Sequence, residues 1–450
     1  MSEGLNRRDF LIGGVGAWLV AGFARGGEPK KRPNFLIILS DDHGRLYTGC
    51  YGAKGPRTPN IDRLAAEGML FSRAFTATAM CAPSRSMLYT GLFPHRNGAH
   101  PNHSAVKPGT KSLPHYLEPL GYRVALAGKT HIKPRACFPF EYLSRNRVGQ
   151  FLASLRGEPF CLVVATHHPH TPWLKEGPYK ASDVVLRPDI LDTPATRQAM
   201  AWYWNSVDAL DKEVGEVLSL LERHGLKDNT LCIYTSDHGA QFPFSKWTLY
   251  DAGIRVPFIV RWPGRVKPGS RSDAMVSFVD VLPTLIEAAG GSQPANLDGR
   301  SFLGVLEGRA KEHRDFIPAT HTTRGIISGS YYPIRAIRTR THKYIVNLNP
   351  EGKFTNLVTE GRAGRKDKRG GPADYWRSWL ELARRDPKAA ERVRKYQHRP
   401  PEELYDLRTD PFELKNLASD PAQRPLMDRL RALLRAWMKQ QGDPLLAKLS

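Results

Sequence analysis

Four short apolar runs in this chain each break off into ionisable residues, and that pattern narrows the fold more than any other feature. "NFLIILSDDHG" stops at Ser40, Asp41 and Asp42, and "YRVALAGKTH" stops at Lys129 and His131. "FCLVVATHHPH" stops at His167, His168 and His170, and "LCIYTSDHG" stops at Asp237 and His238. Each run has strand length and is apolar or β-branched nearly throughout, as parallel strands covered on both faces are. Helix-like segments lie between them, such as "TPNIDRLAAEGMLF" after the first and "VDALDKEVGEVLSLLERHG" before the last. The expected fold is α/β, a large mixed, mostly parallel sheet flanked by helices. Ligands bind beyond the carboxyl ends of such strands. If the four runs are parallel and adjacent, polar clusters spread over nearly 200 residues meet at one edge.

A chain of 450 residues has room for one large domain and a smaller companion. The expected division is a catalytic domain over 33–324 and a smaller α+β domain over 325–450. The second begins with the strand pair "YYPIRAIRTRTHKYIVNL". It continues through the basic, glycine-rich loop "GRAGRKDKRGG" and a helical stretch from Tyr375 to about Tyr396. A turn in "YDLRTDPFELKNLASDP" and an amphipathic helix from about Ala422 to Gln440 complete it. At the other end, Arg7 and Arg8 precede the glycine-rich apolar stretch "FLIGGVGAWLVAGFA", within residues 1–32. That order resembles a twin-arginine export signal, and it is short for a bilayer that takes ~20 residues. It implies the twin-arginine export machinery as a partner and a periplasmic or extracellular location. Attachment through an uncleaved signal is the alternative.

A net charge of +22 favours anionic partners. No helix-turn-helix, zinc-finger or base-stacking module accompanies it, so the reading is no nucleic acid. Self-association into a homo-oligomer stays open. The cysteines Cys50, Cys81, Cys137, Cys161 and Cys232 form no close pair. Cys161 and Cys232 sit inside apolar runs, where inert buried thiols belong.

Asp41, Asp42, Asp237 and His238 are three carboxylates and an imidazole, a set that suits a hard cation such as calcium or magnesium. Capping of turns after strands is the plainer explanation, yet paired acids at separate strand ends exceed what turns require. Lys129, His131, His170 and Lys246 add fixed positive and proton-carrying groups, and Arg85 follows Cys81 by one helical turn. Such a site suits transfer of a tetrahedral, multiply charged oxyanion. Cys81 fits poorly. Arg85 and a helix start would lower its pKa, but a thiol is a poor ligand for a hard metal.

The run "CAPSR" matches the Cys-x-Pro-Ser-Arg signature of the type I sulfatases of the alkaline phosphatase superfamily. "LSDDHG", "YGAKGPRTPNIDRLAAEGMLFSRAF", "GKTH", "PHTP" and "TSDHG" follow that family's motifs in order. The chain is similar to this family from residue 33 to about 440. The resemblance implies that Cys81 is oxidised to formylglycine by a formylglycine-generating enzyme, and that its hydrated aldehyde is the nucleophile. Within the family the likeness is to the heparan N-sulfatases, carried by "QFPFSKWTLYD", "HKYIVNLNPEGKF" and "EELYDLRTDPFELKNLASDP". Two residues depart from that subgroup: Lys246 stands where it has arginine, and His238 where it has asparagine.

The resemblance implies a cation, calcium before magnesium, held by Asp41, Asp42, Asp237 and His238 and touching residue 81. The diol oxygen attacks sulfur. Arg85 holds the diol side, and Lys129 and Lys246 neutralise the transferring oxygens. His170 protonates the leaving atom, and His131 helps the second hydroxyl collapse and expel sulfate. His167 and His168 are further candidates for the substrate rim, as is the loop from Arg324 to Tyr332. The expected substrate is an N-sulfoglucosamine of heparan or heparin type. An O-sulfated sugar, a phosphonate monoester or phosphodiester, and non-catalytic binding of anionic glycans are the rivals.

Overall fold

The computed structural model describes residues 32–326, 331–361 and 372–449. The expected export signal and most of the "GRAGRKDKRGG" loop lie outside the described residues. Residues 32–450 form one compact unit. Among the described residues no helix is long and apolar enough to cross a membrane.

Among the described residues the main sheet has eight strands. At its centre lie Thr230–Ser236, Asn34–Ser40, Phe160–Ala165 and Arg123–Gly128, neighbours in that order and all parallel. Glu141–Leu143 extends the parallel set at one edge. On the other side Phe258–Arg261 runs antiparallel to both Thr230–Ser236 and Met69–Phe71, which makes the sheet mixed. Every residue of Asn34–Ser40 is buried, and the side chains alternate between two cores. Phe35, Ile37 and Leu39 join one, while Leu36 and Ile38 join the other. Coverage on both faces is why these strands read as unbroken apolar runs.

The longest helix, Pro194–Arg223, packs Leu210, Val214, Leu218 and Leu221 against the second of these cores. The side chain of its N-cap, Thr193, accepts from Thr196 N, which satisfies an otherwise orphan donor of the first turn. The segment "TPNIDRLAAEGMLF" is helical only over Pro59–Ala66; Met69–Phe71 turns back as a strand. Gly68 separates the two. A Cβ there would meet Val260 O at 2.4 Å, so only glycine lets the neighbouring strand this close.

A second, antiparallel sheet has the order Phe316–His321, Ile334–Thr339, His342–Asn347, Glu402–Asp406. Its first strand precedes residue 325, and its last, Glu402–Asp406, was not expected and leads into the expected turn. The expected helical stretch from Tyr375 is two helices, Pro372–Ala383 and Pro387–Gln397. Pro387 ends the first, because proline disfavours a helical conformation in the residue before it, and Asp386 caps the second. The final helix, Arg424–Gln440, buries Met427, Leu430, Leu434 and Met438.

Candidate active site

Strand register brings the polar clusters to one height. Ser40 pairs with Ser236, Leu39 with Ala165, and Gly128 with Ala165. Thr166 and Lys129 are therefore level with Ser40 and Ser236, and Asp41 and Asp237 stand one residue beyond them. Backbone bonds carry the ladder one step further. Asp237 N donates to Ser40 O at 3.1 Å, Thr166 N to Leu39 O at 3.0 Å, and Lys129 N to Ala165 O at 3.0 Å.

Asp41, Asp42, Asp237 and His238 are wholly buried. One oxygen from each carboxylate lies within 4.8 Å of the others. Asp42 has a φ of 65°, a left-handed conformation that costs a non-glycine residue about 1 kcal/mol or more. Its neighbours hold it there: Asp42 N donates to Asp237 Oδ1 at 3.1 Å, and Tyr203 Oη donates to Asp42 O at 3.0 Å. Asp42 Oδ1 is buried without a hydrogen bond. His238 Nδ1 faces Gly239 O at 3.0 Å and so carries the proton. Its Nε2 lone pair is left facing Asp42 Oδ1 at 3.4 Å and Cys81 Sγ at 3.2 Å. An orphan carboxylate oxygen, two further carboxylates and a correctly tautomerised imidazole fit a hard divalent cation.

The carboxylates would repel without nearby cations. Arg85 Nη2 lies 3.0 Å from Asp237 Oδ2 and 3.4 Å from Asp41 Oδ1. Lys129 pairs with Asp41 Oδ2, and Lys246 Nζ with Asp42 Oδ2 at 2.6 Å. Burial pushes Asp41 up, but Arg85 and Lys129 hold it well below the usual carboxylate range. Burial likewise raises Asp42, and Lys246 and His170 reverse it. Asp237 stays above its ordinary value, through burial and the nearby charges of Asp41 and Asp42.

Cys81 opens the helix Cys81–Thr90, and its Sγ lies 3.6 Å from Asp41 Oδ1. The expectation that Arg85 and the helix start would lower its pKa is wrong. Burial, joined by Asp41 and Asp237 against Lys246, pushes the thiol well above its usual value. Arg85 is committed to the two aspartates instead. An unmodified Cys81 is therefore a protonated thiol and a weak nucleophile.

His170 joins the cluster, with a nitrogen within 4.8 Å of ligand atoms of Cys81 and Asp42. Its Nδ1 faces Thr171 O at 2.6 Å, so Nε2 is the position free to exchange a proton. Burial and Lys246 lower its pKa. His131 stands farther out. Its Nε2 lies 2.7 Å from His103 Nδ1, and burial with Lys129 and Arg85 lowers its pKa to about 3. His131 is thus neutral at pH 7. His167 is exposed on the rim, with Lys129 among the charges acting on it. His168 turns aside to Glu213 Oε1 at 3.0 Å, a structural contact with the long helix.

Sequence reasoning missed His103, whose φ of 60° is again left-handed, and Asn102, whose Oδ1 accepts from Ala82 N at 3.3 Å. It also missed Tyr203, and Tyr234, whose hydroxyl meets His43 Nδ1 at 2.6 Å behind the aspartate pair. No motif spacing marks these residues. They reach the site from other elements.

A family model described as Sulfatase matches residues 33–140 and 143–292. The chain belongs to the sulfatase family. A second model, N-sulphoglucosamine sulphohydrolase, C-terminal, matches residues 238–349. This sulfatase is 35% identical over 431 residues to an ulvan-active sulfatase of Formosa agariphila, covering 92% of this chain and 81% of the relative. It is 30% identical over 486 residues to human N-sulphoglucosamine sulphohydrolase, covering 92% of each. In fold it is similar to a solved complex with the substrate D-glucosamine-2-N,6-O-disulfate. The TM-score there is 0.71 at 22% identity, with coverage of 92% and 99%. Membership makes the sulfatase a sulfuric ester hydrolase, of a family that uses a metal ion and formylglycine.

Proposed function

We propose that this sulfatase hydrolyses the N-sulfo group of glucosamine in heparan- or heparin-type glycans. The carrying observation is likeness to a sulfamidase along both parts of the chain. The human N-sulphoglucosamine sulphohydrolase aligns over 92% of it, and that enzyme's C-terminal model matches 238–349. The 35% identity to an ulvan-active sulfatase supports a second reading, an O-sulfated glycan. The apolar stretch behind Arg7 and Arg8 supports export.

Asp41, Asp42, Asp237 and His238 are the residues that would hold the metal, calcium by family resemblance. Bound there, the ion supplies Lewis-acid polarisation and lowers the pKa of a neighbouring hydroxyl. Cys81, once converted to formylglycine, offers a hydrated-aldehyde oxygen where Sγ now stands. Lys129 and Lys246 set fixed positive charge beside the oxygens of the transferring group, in a buried region where charge acts strongly. His170 Nε2, the ring nitrogen not engaged by Thr171 O, is the position through which a proton would pass to the leaving atom once the ring is protonated. An amine leaving group needs that proton more than an alkoxide on an activated ester does. Neutral His131, set by His103, accepts the proton of the second hydroxyl at residue 81 as sulfate departs.

The test is sulfate release from glucosamine N-sulfate against N-acetylglucosamine 6-sulfate, using calcium-loaded protein co-expressed with a formylglycine-generating enzyme. Faster release from the N-sulfate is expected. Preference for the 6-sulfate would replace this reading with the O-sulfatase one. Lys246→Arg is the follow-up variant, because guanidinium and ammonium present their donors to an oxyanion differently.

A further inference from the structure

A pocket of about 240 Å³ opens beside the active site, lined by His95, His100, Pro101, Arg324, Tyr331 and Arg335 among others. It joins the catalytic cluster through one short stretch of chain. His100 and Pro101 form its wall. Asn102 holds Ala82 N through Oδ1, and His103 Nδ1 touches His131. Three residues of chain span at most about 11 Å, so the pocket and the reacting group lie within one sugar unit or its immediate neighbour. Arg324 is tied to the same stretch, since Asn102 N donates to Arg324 O at 3.1 Å.

The pocket is positive. Arg335 is neutralised by Asp443, which takes its Nη2 at 3.0 Å as well as its Nε. His95 Nε2 leans on the same carboxylate at 3.3 Å and on Thr320 Oγ1 at 3.2 Å. His100 Nε2 meets Thr320 Oγ1 at 2.9 Å. Arg324 differs from all of these. It is exposed, its guanidinium lies 4.3 Å from the centre of the Tyr331 ring, and it makes no ion pair among the described residues. A guanidinium over an aromatic face can stack there and keep its N–H donors available to an oxyanion.

We infer that this pocket is a second oxyanion subsite, in which Arg324 receives another acidic group of the same saccharide while its sulfo group lies at residue 81. The proposal rests on the sulfated-glucosamine reading above and sharpens it: the substrate is polyanionic. That acidic group is a sulfate ester on the same ring or the carboxylate of an adjoining uronic acid. Both offer the planar edge of oxygens that a guanidinium grips.

The experiment compares glucosamine N-sulfate, glucosamine N,6-disulfate and a uronate-linked glucosamine N-sulfate disaccharide, with wild-type enzyme and Arg324→Gln. A charge-assisted hydrogen bond is expected to raise kcat/KM by about tenfold or more for one doubly acidic compound. Arg324→Gln should erase that gain, with a smaller loss on the singly sulfated compound. The disaccharide and disulfate arms separate the carboxylate from the sulfate. Equal losses on all three compounds, or no gain from either second acid, would overturn the subsite. A binding arm separates this from the reaction itself: calorimetry of the same compounds with the unconverted Cys81 protein. If no N-sulfate is cleaved but an Arg324-dependent preference persists in calorimetry, the subsite stands and the N-sulfo reading falls. If that preference is absent too, the subsite falls with it.

Discussion

Asp42 and Asp251 are both buried carboxylates within one fold, yet they are surrounded differently. Asp251 follows the loop that carries Lys246 and faces the second sheet. Lys343 Nζ lies 2.8 Å from its Oδ1, Arg338 Nη2 3.0 Å from its Oδ2, and Arg255 Nη1 3.7 Å from its Oδ2. Burial would raise its pKa, but Arg338 and Lys343 hold it far below the usual range. One acid meets three cations. At the strand edge, three acids share Arg85, Lys129 and Lys246, and one oxygen, Asp42 Oδ1, is left over. The Asp251 cluster ties the segment after Lys246 to the antiparallel sheet, with three cations around one aspartate. The edge cluster gathers more acceptors than its neighbours satisfy, in the arrangement a cation completes.

The largest effect expected from this contrast is Asp237→Asn. Losing a proposed metal ligand and a partner of Arg85 should lower sulfate release by about a thousandfold or more, while denaturation of the metal-free protein shifts less than in any variant of Asp251. A mutant that keeps a tenth of wild-type activity would remove the cation from the site's chemistry. Asp251→Asn should do the reverse. Stripping the partner from buried Arg338 and Lys343 is expected to cost about 3–5 kcal/mol in urea denaturation, with metal affinity by titration calorimetry little altered in the protein that remains folded.

Glu413 supplies a smaller test beside Asp251, whose N donates to Glu413 Oε2 at 2.6 Å. Burial, opposed by Lys343 and aided by Asp251, pushes the Glu413 carboxyl up from 4.5 to about 7. A raised folded-state pKa contributes stability that is fully present below the unfolded value and lost as pH rises through the folded one. Unfolding free energy should therefore decline between about pH 4.5 and 7, and Glu413→Gln should flatten that decline, gaining about 1–3 kcal/mol at pH 8. An unchanged slope would count against it. The smallest effect belongs to His103→Gln at the rim. Loss of its contact with His131 should slow sulfate release about three- to tenfold without moving the denaturation midpoint, and the acid limb of the pH–rate profile should shift.

Much of the edge cluster is legible in the chain because each part is local. An apolar run signals a strand buried on both faces, and the residue at which it stops is visible beside it. Asp41, Asp42, Lys129, Asp237 and His238 are found that way, and Arg85 through its helical spacing from Cys81. The protonation of Cys81 is not local. It depends on Arg85 reaching Asp41 and Asp237 rather than sulfur, which a four-residue spacing leaves undecided. The break before Pro387 is local too, since the proline stands in the sequence at the point where the helix must stop. The strand Glu402–Asp406 was hidden, because its partner His342–Asn347 lies more than fifty residues away.

The amino-acid order by itself determined the parallel α/β core, the edge where the ionisable residues collect, and the motifs that place the chain among the sulfatases. Those follow from burial periodicity and short spacings, which act within a few residues. Tertiary structure alone decided which cation faces which carboxylate, that Asp42 keeps an unsatisfied oxygen, and that His103 and Tyr203 stand beside the site. Each depends on distances between elements far apart in the chain. Register and side-chain packing set those distances, and both exist only once the sheet has closed its two cores.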